Sequence, residues 1–70
     1  MISVFKTSVT NTKEIEILKP HLDTHLEFAK WNFDLEDYDN ILRIDSENEI
    51  TKTTIKILKD NGFDCQELED

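Results

Sequence analysis

From Ile2 to Val9 the chain alternates, with Ser3, Phe5, Thr7 and Val9 on one side and Ile2, Val4, Lys6 and Ser8 on the other. A period of two carried by β-branched and aromatic residues predicts a strand. After Asn11 the period lengthens. Ile15, Leu18, Leu22 and Leu26 recur at helical spacing, with Lys13, Glu16, Lys19 and Asp23 outside the stripe, which predicts an amphipathic helix. Pro20 falls within it. Its missing N–H removes the bond to the Glu16 carbonyl, at roughly 3 kcal/mol in an ideal helix. One kinked or widened helix is expected, with a break at Lys19 as the alternative.

Alternation returns from Phe28 to Leu35, with Ala29, Trp31, Phe33 and Leu35 on one face and Lys30, Asn32 and Asp34 on the other. Glu36-Asp37-Tyr38-Asp39-Asn40 is rich in turn formers and predicts a hairpin loop. Ile41 to Asp45 then makes the returning strand, with Leu42 and Ile44 inward. Ser46 and Glu49 fit a capping box ahead of a second helix carrying Ile50, Thr54, Ile55, Ile57 and Leu58. Gly62 supplies a left-handed stop, Phe63 folds back, and Cys65 to Leu68 is a short final edge strand. The order β-α-β-β-α-β predicts an α+β, ferredoxin-like sandwich: a four-stranded antiparallel sheet with two helices on one face. No stretch is long enough to serve as a linker, so residues 1–70 are expected to form a single domain.

Size and charge narrow the functional classes. Seventy residues bury only about 60% of the unfolded chain's surface, which gives one thin core and no room for a bulky cofactor; none is expected. The net charge of −8, from sixteen acidic and eight basic residues, repels phosphate backbones and anionic bilayers. Neither nucleic acid nor membrane is an expected partner, and no apolar run approaches the ~20 residues of a transmembrane helix. A single cysteine, Cys65, can form neither an internal disulfide nor a thiol pair. With no signal peptide visible at the start, a cytoplasmic protein is expected.

The chain resembles a heavy-metal-associated domain, the fold of small copper chaperones and of the N-terminal modules of metal-transporting ATPases. Five segments carry the resemblance: Phe5-Lys6-Thr7, Leu18-x-Pro20-x-Leu22, Trp31-x-Phe33-Asp34-Leu35, Ile41-Leu42-x-Ile44 and Lys59-Asp60-Asn61-Gly62-Phe63. The resemblance implies a metal-binding Cys-x-x-Cys in the loop between the first strand and first helix, where the helix dipole favours thiolates. Here the loop reads Asn11-Thr12-Lys13-Glu14. It has no cysteine, methionine or histidine, so the family's metal transfer does not carry over. These residues instead suit a helix cap. Asn11 can accept from the N–H near Glu14 while the Glu14 carboxylate reaches back to the Asn11 N–H, and Thr10 or Thr12 are alternative caps.

Other chemistry is weakly signalled. His21 and His25, four apart on one helix, could share Zn²⁺ or Cu²⁺ but lack a third ligand. Asp34, Glu36, Asp37 and Asp39 lack the central glycine and terminal glutamate of a calcium loop. Cys65 reads as a half-buried hydrophobe and Trp31 as core, while Lys52, Lys56 and Lys59 form a solvated stripe on the second helix. The sheet face without helices carries Ile2, Val4 and Ile41 beside Lys6, Asn32, Asp34 and Arg43. This mixed surface suits a protein partner or a second copy. No catalytic constellation is present, and an enzyme is not expected. The leading expectation is a non-enzymatic binding or regulatory module with a degenerate metal loop. The alternatives are a metal-handling protein using His21, His25 or Cys65 as substitute ligands, and a small subunit of a larger assembly.

Overall fold

In a computed structural model, which describes residues 2–36 and 40–68, the elements follow in the order β1 (Ile2–Thr7), α1 (Thr12–His25), β2 (Lys30–Asp34), β3 (Ile41–Asp45), α2 (Thr51–Asp60) and β4 (Cys65–Leu68). The strands form one antiparallel sheet in the order β2-β3-β1-β4. This is the expected ferredoxin-like pattern. β1 occupies an inner position, with Phe5 opposite Leu42 on β3 and Glu67 on β4.

Alternation along β1 decides which face is buried. Ser3, Phe5 and Thr7 are buried, and Phe5 joins Leu18, Leu22, Leu42, Ile44, Ile57 and Leu58 in one cluster. α1 runs unbroken through Pro20. The proline is exposed, so its ring faces away from the core, while Leu18 and Leu22 on either side are fully buried. Burying each leucine contributes about 1.5–3 kcal/mol, enough together to offset the lost backbone bond.

Three local expectations are corrected. Phe28 does not begin β2. The helix ends at His25, the Ala29 N–H turns back to the Leu26 carbonyl at 2.9 Å, and Phe28 is left 88% exposed in the turn. Ser46 and Glu49 do not form a capping box. The Ser46 hydroxyl accepts from the Asn48 N–H at 3.1 Å and Glu49 Oε1 accepts from the Thr51 N–H at 2.8 Å, so each side chain serves a local turn and α2 starts only at Thr51. Trp31 lies on the helix-facing side but is only partly buried, because β2 is an edge strand. Its indole N–H donates to Asp23 Oδ1 on α1 at 3.0 Å, its ring meets Phe33 edge-on at 5.9 Å, and Lys19 Nζ stands 5.9 Å from its centroid.

The end of α2 is as expected. Gly62 adopts φ +87°, the Phe63 N–H donates to the Leu58 carbonyl at 2.9 Å, and the Gly62 N–H donates to the Lys59 carbonyl at 3.0 Å. These paired bonds are the Schellman arrangement, which supplies donors to the last helical carbonyls. The hairpin loop at Asp37, Tyr38 and Asp39 lies outside the described residues. None of the helices is long and apolar enough to cross a membrane, among the described residues.

Candidate functional site

The loop that would carry metal in the family resembled is closed on itself. Asn11, extended at φ −152°, ψ 166°, is the cap of α1, and its Oδ1 accepts from the Glu14 N–H at 2.9 Å. The Glu14 carboxylate reaches back mainly to Thr10, not to Asn11 as expected. Glu14 Oε1 accepts from the Thr10 N–H at 2.8 Å and from the Thr10 hydroxyl at 2.9 Å. Thr10 offers two donors to one oxygen where Asn11 offers one. Thr10's N–H and hydroxyl, with a smaller contribution from the Asn11 N–H, hold the Glu14 carboxyl below its ordinary value. Thr12 and Lys13 are exposed.

A lowered carboxylate pKa stabilises the fold above the unfolded value and is lost as pH falls through the folded one. Glu14→Gln is therefore expected to be less stable than the parent at neutral pH. The two denaturation midpoints should converge as acid takes the pH below the ordinary carboxylate range of about 4–4.5. Equal midpoints at neutral pH would show that the charge adds nothing to the cap.

The other candidate ligands stay apart from this loop or are already engaged. His21 and His25 are exposed on α1. Asp23, between them, accepts from Trp31 and lies 3.9 Å from Lys19 Nζ. Asp34 pairs with Arg43 Nη1 at 3.3 Å and accepts from the Glu36 N–H at 3.2 Å. No group of three or more His, Cys, Asp or Glu side chains is placed to hold a metal ion, among the described residues. Lys52, Lys56 and Lys59 are exposed along α2.

Cys65 is buried opposite Thr7. Burial pushes its thiol up to about 11, against a small opposing pull from the Lys59 charge. The unfolded thiol ionises first as pH rises, so this contribution to stability is full below the unfolded value and fades through the folded one. At about pH 8 iodoacetamide should alkylate Cys65 far more slowly in the native protein than in urea, because only the thiolate attacks. Comparable rates in the two states would contradict a buried, protonated thiol.

The second candidate surface is the open face of the sheet. Strand register sets Ile2, Asp45 and Lys30 in one row, Leu68, Val4, Arg43 and Asn32 in the next, and Gln66, Lys6, Ile41 and Asp34 in the third. Ile2 is 66% and Leu68 36% exposed, Val4 is partly covered, and Arg43 is exposed. Ile41 departs from the expected surface. It is only 4% exposed, set between its cross-strand neighbours Lys6 and Asp34. Leu68 takes its place as an accessible apolar residue. The alternation of β4, with Cys65 inward, carries the signal for it.

The strand order and the two helices define a small α+β protein of ferredoxin-like pattern, with a self-capped first loop and one mixed, uncovered sheet face. No family model, curated protein or solved structure gives a significant match to the chain.

Proposed function

We propose that the chain is a non-catalytic binding module, built like a heavy-metal-associated domain but without that family's metal chemistry, and that it engages a protein partner through the open face of its sheet. One observation carries this reading. Asn11 and Glu14 in the first loop are engaged with each other and with Thr10, whereas Ile2 and Leu68 stand exposed around Val4 on the sheet. Apolar side chains clustered among polar ones on a flat face suit protein contact. On that face Lys6, Lys30 and Arg43 stand against Asp34 and Asp45, so the strong overall acidity does not keep a protein partner away.

Two measurements test it. A photoreactive residue placed at Ile2 or Leu68 should give protein adducts in the source cells. The same group at Ile17, which is 51% exposed on α1, should not. Adducts from Ile17 alone, or from none of the three sites, would overturn the sheet-face reading; adducts between two copies of the chain would make the partner a second copy. In parallel, backbone amide NMR shifts at Asn11–Glu14 should stay unchanged on titration with Cu(I), Zn²⁺ or Ni²⁺. Saturable shifts there at micromolar metal would return the chain to metal handling.

A further inference from the structure

The junction of α2 and β4 holds an asparagine followed by glycine, Asn61-Gly62, the pair in which the backbone nitrogen is least hindered from attacking the preceding side chain. We propose that Asn61 is a self-modification site, held unreactive by the native helix end and released when that end opens. In the reaction the Gly62 nitrogen attacks Cγ of Asn61, a C–N bond forms, the Gly62 N–H proton is lost, and the side-chain nitrogen leaves as ammonia. Water then opens the cyclic imide at either carbonyl, leaving aspartate or isoaspartate. Water is the one co-reactant.

Three features of the native geometry oppose ring closure. Asn61 has ψ 8°, so the Gly62 nitrogen nearly eclipses the Asn61 main-chain nitrogen instead of the Cβ that it must approach. The Gly62 N–H is held by the Lys59 carbonyl at 3.0 Å, which opposes loss of its proton. Asn61 Nδ2 donates to the Ile57 carbonyl at 2.8 Å, turning the side-chain amide back along the helix. All three are lost together if the last turn of α2 unwinds, so the rate of modification follows local opening.

The product would not close the helix as well. An aspartate at this position replaces a donor to the Ile57 carbonyl with an anion at the negative end of the helix dipole. Isoaspartate adds a methylene to the main chain between α2 and β4. Either change favours the open form that produced it, so modification is self-reinforcing and makes the junction a record of the protein's age and past unfolding.

The test follows the intact protein by peptide mass spectrometry during incubation at mildly alkaline pH, with and without urea. Asn11, Asn32, Asn40 and Asn48, each followed by a bulkier residue, serve as internal standards. Asn61 should convert ahead of all four in urea, and at least about tenfold more slowly in the folded protein. Phe63→Ala, which removes a side chain packed on the core, should raise the folded-state rate while circular dichroism still reports a folded chain. Equal rates with and without urea would overturn the protection, and an Asn61 that is stable in urea would overturn the site.

Discussion

Phe5→Ala is expected to remove a large share of the protein's stability. Truncating a fully buried phenylalanine costs about 3–5 kcal/mol, and a domain of seventy residues has on the order of 4–10 kcal/mol to lose. Phe5 is fully buried on an inner strand, flanked by β3 on one side and β4 on the other. A cavity there has hydrogen-bonded backbone on both sides and cannot close by moving a loop. Urea denaturation followed by far-UV circular dichroism should show a midpoint shifted far toward zero urea. Ile17→Ala, on the exposed side of α1, should stay within about 0.5 kcal/mol of the parent. A Phe5→Ala variant with an intact baseline and a midpoint near the parent's would show that the core tolerates the void.

Thr54→Val acts in the opposite direction. Thr54 is fully buried on the inner face of α2, and its hydroxyl has no hydrogen-bond partner among the described residues. An unsatisfied buried hydroxyl costs about 1–3 kcal/mol. Valine keeps the shape and has a similar helix propensity. The variant should therefore be more stable by about 1–2 kcal/mol, read as a higher urea midpoint at an unchanged slope. An unchanged or lower midpoint would mean that the hydroxyl finds an acceptor in solution, such as the Ile50 carbonyl that already accepts from the Thr54 N–H at 2.9 Å.

Most of the fold was legible because the two periods in the sequence are clean where burial is decisive. Ser3, Phe5 and Thr7 alternate with Ile2, Val4 and Lys6, and the sheet buries the first set. Gly62 marks a helix end because few other residues take a positive φ without strain. Legibility failed where polar side chains had two ways to satisfy the backbone. Ser46 and Glu49 have the spacing of a capping box, yet each bonds within a nearer turn, a competition that spacing alone does not reveal. Phe28 continues an alternating pattern and still lies outside β2, because the turn out of α1 takes the residues up to Ala29. At the first loop, Asn11 as the cap that accepts from the Glu14 N–H could be read directly. The transfer of the Glu14 contacts to Thr10 could not, because it depends on where a hydroxyl sits in space. Alternation placed Ile41 on the open face but said nothing of how far it is covered there.

The chain's single tryptophan spans the seam between the first helix and the edge of the sheet. Its indole is tied to Asp23, lies near Lys19, and rests against Phe33. Separation of α1 from β2 would move that ring from a half-apolar crevice into water and cut its one hydrogen bond to the helix. Intrinsic fluorescence thus follows a single event, the undocking of α1, with no label introduced. Circular dichroism follows the helices and sheet as a whole, so comparing the two signals during unfolding would reveal whether that seam opens before the rest.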